Sequence, residues 1–150
     1  VKERRIKMLK GIPKIFSPDL MKTLMEMGHG EEIVLADGNF SAATLGKRVI
    51  RCDGHGIPEL LDAILDFLPL DDYVDYPILL MKVARENDEK PSIWDEYRKI
   101  IEKKVGHNFQ IGLIERFDFY ERASKAFAIV ATSEKALYAN IILKKGVIKE

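Results

Sequence analysis

Four short apolar runs constrain this chain more than any other feature. They are Ile33-Val34-Leu35-Ala36, Ile78-Leu79-Leu80-Met81-Lys82-Val83, Phe127-Ala128-Ile129-Val130-Ala131-Thr132 and Ile141-Ile142-Leu143. Each is too short for a helix of its own and too continuous to keep one face in water, so each reads as a strand buried within a sheet. Val49-Ile50 and Phe109–Ile114 add two weaker strands.

Between the runs lie helical patterns. Ser17-Pro18 opens the first, since serine caps free amides and proline suits the first turn. Leu20, Leu24 and Met27 follow at helical spacing, widened by Met21 and Met25, and Gly28 supplies a left-handed residue to end the helix. A second helix is expected from about Pro58 to Phe67, closed by Pro69. Ser92 and Asp95 resemble a capping box before Trp94, Tyr97, Ile100 and Ile101, and a short helix covers Phe119 to Lys125. A turn is expected near Ser133–Leu137. Strands alternating with helices predict one α/β domain over residues 1–150. It has three layers, a mixed or mostly parallel sheet and helices on both faces. A chain of 150 residues buries roughly 70% of its unfolded surface, so it needs neither metal nor disulfide for a core.

Charge and cysteine content narrow the function. The 24 basic side chains are matched by 24 acidic ones, which leaves no long-range attraction for a nucleic acid. Neutrality also does little to keep copies of the chain apart. The single cysteine, Cys52, excludes an internal disulfide, fits a reducing cytoplasm, and reads as buried and inert. The charged start Val1-Lys2-Glu3-Arg4-Arg5 has no apolar signal core behind it, and no run is long enough for a membrane helix.

In sheets of this kind ligands gather beyond the carboxyl ends of the strands. Asp37 stands at one such end and Arg116 just after another. Asp37 is suited to accept hydroxyls or orient a histidine, though Asp37-Gly38-Asn39 equally favours a carboxylate that caps its own turn. Arg116, with five donors, suits ring and hydroxyl oxygens; its neighbours Phe117, Phe119 and Tyr120 either line a pocket wall, to which Tyr120 adds a hydroxyl, or are core, the expected place of the phenylalanines. Arg116 and Arg122 equally suit ion pairs with Glu115 or Glu121. Tyr138 and Asn140, two apart, face one side if the chain there is extended, and suit a polyol, though a turn that caps the last strand would use the same residues. His29, framed by Gly28 and Gly30, is either a proton-transfer group, since imidazole titrates near about pH 6.5, or a bystander on a turn. His55 and His107 sit by glycines too, but no metal spacing, dinucleotide fingerprint or phosphate loop occurs.

Several segments in order carry a further signal. These are Met27-Gly28-His29-Gly30-Glu31-Glu32-Ile33, Val49-Ile50-Arg51, Arg116-Phe117-Asp118-Phe119-Tyr120-Glu121-Arg122-Ala123, Lys125-Ala126-Phe127-Ala128-Ile129-Val130 and Asn140-Ile141-Ile142-Leu143-Lys144-Lys145-Gly146-Val147. From about Lys10 to Val147 the chain resembles the fucose mutarotase and ribose pyranase family, on the fucose branch. That resemblance implies an isomerase that exchanges the anomers of a free monosaccharide, L-fucose, without metal or cofactor. It implies His29 as the catalytic proton donor, with Asp37, Arg116, Tyr120, Tyr138 and Asn140 binding the sugar. It also implies a homodecamer of two pentameric rings, with pockets near subunit boundaries. A D-ribose pyranase and a non-catalytic sugar binder are the alternatives. Two residues depart from the pattern: Ala139 stands where members often carry glycine, and Asn39 where some fucose mutarotases carry histidine. The first bears on the width of the site or its backbone; the second replaces a titrating base with an amide.

Overall fold

The computed structural model describes residues 8–150, so the charged start at Val1–Arg5 lies outside the described residues. The elements run α1 (Pro18–Glu26), β1 (Glu32–Ala36), α2 (Ala42–Leu45), β2 (Val49–Cys52), α3 (Ile57–Ile64) and β3 (Ile78–Met81). There follow α4 (Ile93–Val105), β4 (Ile111–Ile114), α5 (Arg116–Lys125), β5 (Ala128–Thr132) and β6 (Ile141–Lys144). Six strands form one sheet in the order β2-β5-β1-β6-β3-β4. β1 pairs parallel with β5, β5 with β2, and β3 with β4, while β6 runs antiparallel to both β1 and β3. The sheet is therefore mixed, with one reversed strand, and the α/β expectation holds.

Both faces of the sheet are covered, which is why its strands read as unbroken apolar runs. Alternate residues of β1 point to opposite sides. Ile33 and Leu35 enter a core built with Leu20, Leu24, Leu60, Leu61, Trp94 and Tyr97 from α1, α3 and α4. Val34 and Ala36 enter a smaller one with Ala42, Phe119 and Ala123 from α2 and α5. These are the three layers.

Local chemistry explains the ends of the elements and several departures from expectation. Ser17 caps α1, its Oγ accepting from the Leu20 amide at 3.1 Å. The left-handed glycine is Gly30 (φ +84°), not Gly28, whose amide instead donates to Glu31 Oε1. α3 stops at Ile64, short of Phe67 and Pro69, because hydrogen-bonded turns take over through Leu68. Ser92 makes no side-chain cap, since its own backbone is helical. α5 begins at Arg116, three residues earlier than its apolar pattern suggests, and α2, a single turn, is too short to show a helical period.

One close approach ties the end of β6 to the segment after α3. The Gly146 amide donates to the Pro69 carbonyl at 2.8 Å, and the Asp71 amide to the Lys144 carbonyl at 3.0 Å. A Cβ on Gly146 would lie 2.5 Å from the Leu70 carbonyl oxygen, inside any tolerable contact with rigid backbone. Gly146→Ala is expected to destabilise the fold by about 1–3 kcal/mol, the usual cost of overpacking, read as a lower urea midpoint at unchanged slope.

Candidate functional site

The strand directions give the sheet two chemically different edges. At the amino edge of the parallel strands, the Gly30 amide donates to Lys145 and the Lys145 amide to Glu31, fastening the turn before β1 onto the end of β6. His29 projects from this turn with 44% of its side chain exposed, and its Nε2 lies 3.1 Å from Asp71 Oδ1. The Tyr73 amide donates to the same oxygen at 3.1 Å, and the Tyr73 ring centre is 5.4 Å from the imidazole. Burial pushes the Asp71 carboxyl up, but the Tyr73 amide, the His29 ring and the Lys144 charge together outweigh it and hold the group below the ordinary carboxylate value. An ionised carboxylate only accepts, so Nε2 carries the hydrogen and Nδ1 is left with a lone pair for a proton on substrate or water. Asp71 is the residue that the sequence did not disclose. Its partner is 42 positions away, and nothing around Asp71-Asp72 distinguishes it from a solvated acidic pair.

At the carboxyl edge, Asp37 follows β1 directly and is buried. Its amide donates to Asn140 Oδ1 at 2.7 Å, and its own Oδ1 accepts from the Asn39 amide at 3.0 Å, so the turn-capping role is real. Burial raises the Asp37 carboxyl above its ordinary value despite the amides of Asn39 and Phe40. Asn140 reaches this edge because β6 is reversed: Ile141 pairs with Leu35 of β1 and Leu80 of β3. Tyr138 is not extended but left-handed, at φ 55°, so it and Asn140 do not share the alternation of a strand. Its hydroxyl accepts from the Ala84 amide at 3.0 Å. Ala139, fully buried, sends its methyl into the larger core, and the left-handed residue is its neighbour, so neither concern raised by the missing glycine applies.

Arg116 is exposed on the first turn of α5, its guanidinium 4.8 Å from the Phe117 ring centre. Phe119 is core, but Phe117 is 71% exposed, against the expectation that both phenylalanines pack inside. Nor do the arginines pair as expected: Arg122 meets Glu32 of β1, and Glu115 meets Lys82. Tyr120 is half-buried, its ring centre 5.7 Å from that of Phe40, three residues beyond Asp37.

Asp37 and Asn140 are thus bound together, with Tyr138 two residues before Asn140, Tyr120 nearby through Phe40 and Arg116 on the same edge. His29 is not with them. The strand between Gly30 and Asp37 sets them roughly 20 Å apart, at about 3.3 Å per residue, so no single molecule of monosaccharide size touches both within one chain. Asp71, not Asp37, orients His29. Elsewhere, His55 meets Glu59, His107 lies 3.7 Å from Glu102, and Cys52 is buried with its thiol pushed up by burial. Among the described residues no group of three metal-ligating side chains occurs, and no helix is long and apolar enough to cross a membrane.

The raised carboxyl at Asp37 has a stability consequence of definite sign. The folded chain holds this proton to higher pH than the unfolded chain, so stability is lost as pH rises from the ordinary value, about 3.9, through the raised one. Asp37→Asn is therefore expected to unfold at higher urea than the parent near neutrality. The gap should close below the ordinary carboxyl value, which urea midpoints at both pH values would measure.

Comparison with known proteins supplies the context. The model of the RbsD / FucU transport protein family matches residues 10–148. The fucose mutarotase of Homo sapiens is 50% identical over 146 residues, 93% of this chain and 94% of that one. An L-fucose mutarotase of Haemophilus influenzae is 51% identical over 140 residues, 93% of this chain and 97% of that one. The crystal structure of the fucose mutarotase from Streptococcus pneumoniae in complex with L-fucose superposes with a TM-score of 0.89 at 58% identity. It covers 94% of this chain and 100% of that chain. Bacillus subtilis RbsD complexed with D-ribose shares the fold, at a TM-score of 0.69 and 20% identity over 89% of this chain and 95% of that one. With its family model matched almost end to end, the chain belongs to the RbsD / FucU family.

Proposed function

We propose that this protein is an L-fucose mutarotase, an isomerase that interconverts the α and β anomers of the free sugar. The observation that carries the reading is 58% identity to a fucose mutarotase crystallised with L-fucose, over nearly the whole of both chains. The reaction needs only proton movement and positioning. A proton leaves the anomeric hydroxyl, another reaches the ring oxygen, and the bond from that oxygen to the anomeric carbon breaks to give the open aldehyde. Rotation and the reverse steps close the ring on the other face, with no net change in atoms or charge.

In this reading His29 performs one transfer through Nδ1, with Asp71 holding the ring and stabilising the imidazolium that forms. Asp37, Asn140 and Tyr138 grip sugar hydroxyls, while Arg116 and Tyr120 flank them. The other proton passes through water or the Tyr120 hydroxyl. Because the two groups occupy opposite edges of one sheet, the working site is built from two copies, His29 of one approaching the Asp37–Asn140 cluster of the next. A contact between unlike surfaces repeats from copy to copy, and closes into a ring where the rotation between copies divides a full turn. That geometry supports the pentameric rings, paired as a decamer, that the family resemblance implies. The single buried cysteine and the lack of any long apolar helix among the described residues favour a cytoplasmic home.

Saturation-transfer NMR of anomer exchange tests the chemistry directly. The parent should accelerate exchange in L-fucose and favour it over D-ribose, and His29→Ala should lose a factor of about 10²–10⁴. An unchanged rate in that variant would remove His29 from the mechanism. The shared site is tested by mixing. Co-assembled His29→Ala and Asn140→Ala chains, each inactive alone, should regain activity at about a quarter of their sites. No recovery would mean that one copy supplies both edges.

A further inference from the structure

We propose that Trp94 and Tyr97 are positioning residues for the sugar site, two donors on one face of α4 that fix the shape of the Tyr138–Asn140 segment. The inference rests on the mutarotase reading and extends it to residues that touch no substrate. Trp94 Nε1 donates to the Tyr138 carbonyl at 2.8 Å, and Tyr97 Oη donates to the next carbonyl, that of Ala139, at 2.6 Å. The two side chains are three residues apart, and so stack on one helix face. Both are buried, Tyr97 completely, and Ala139 is fully buried as well, so no water can substitute for the phenol.

The segment they hold is one that would not keep its shape unaided. Tyr138 is the one residue other than glycine with a left-handed backbone among those described, a conformation that survives only where its surroundings enforce it. Three bonds enforce it here: Trp94 on its carbonyl, Tyr97 on the following carbonyl, and the Ala84 amide on its hydroxyl. Two residues after Ala139 β6 begins, locked between β1 and β3. Asn140 is therefore pinned between a gripped carbonyl and a paired strand, and its Oδ1 takes the Asp37 amide at 2.7 Å. A continuous path runs from the buried face of α4 through residues 138–140 to the backbone amide of Asp37 at the end of β1. A core that needed only filling would be served by phenylalanine at both positions. The polar tips are the part that shapes the site.

Tyr97→Phe removes one oxygen atom, and Trp94→Phe removes the indole donor while keeping an aromatic ring; both should be measured in the full assembled protein, well below its melting temperature. Losing one such bond, about a fivefold effect, should raise KM for L-fucose about fivefold and leave kcat and its pH profile nearly unchanged, because His29 and Asp71 are held by the Tyr73 amide and the end of β6, not by α4. Hydrogen–deuterium exchange should quicken in peptides covering 36–40 and 137–142, and not in 28–32 or 70–74. A merely structural role would lower the melting temperature and leave KM and these local rates alone, and that result overturns the proposal. If Tyr97→Phe fails to fold, Trp94→Phe carries the same expectations. If the parent itself does not accelerate anomer exchange, the mutarotase reading falls, while the exchange pattern still decides whether α4 shapes the segment.

Discussion

The insertion of β6 between β1 and β3 is the constraint on which the rest depends. Without it the sheet is two fragments, β2-β5-β1 and β3-β4, that share no strand pairing. β6 supplies the ladders on both sides, and because it is reversed it sends each of its ends to the edge where the parallel strands do the opposite. Its start brings Asn140 beside Asp37. Its end gives the carbonyls of Lys144 and Lys145 that hold the amides of Asp71 and Gly30, the two supports of His29. One strand thus organises both chemical ends of the molecule.

The two ends suit different tasks. His29 is half-exposed and backed by a buried, ionised carboxylate, an arrangement that fixes which nitrogen can accept a proton. Asp37 and Asn140 are buried, the Asp37 amide bonded to Asn140 Oδ1 and its carboxylate to the Asn39 amide, so both side chains are already fixed. Proton transfer wants a group that can meet water and titrate, whereas recognition wants groups already fixed. Separating them across a sheet satisfies both requirements, provided that a neighbouring copy reunites them.

Much of the fold was legible because its signals are local. Runs such as Ile33–Ala36 and Ala128–Thr132 had to be two-faced strands, and Ser17-Pro18 had to open a helix. What escaped was set by distant contacts. Gly28 and Gly30 are equivalent on paper; only the bond from Gly30 to Lys145 decides which takes positive φ. Phe117 looked like core because aromatic residues usually are, yet the start of α5 at Arg116 turns it outward. Among the candidate site residues, Asp37 and Asn140 are marked by strand ends and polarity, and His29 by its glycines. Their division between two edges follows from strand direction, and Asp71 from a pairing across 42 residues, neither of which a local pattern records.

The central place of β6 also bears on how the chain is made. Its partners in β1 are made long before it, so Ile33 must wait for Leu143 and Leu35 for Ile141. Most of the contacts that join the two half-sheets therefore span much of the polypeptide, a topology that folds slowly. During synthesis the exposed flanks of β1 and β3 stand open to strands of other nascent chains, a hazard that ends only when residues 141–144 slide between them.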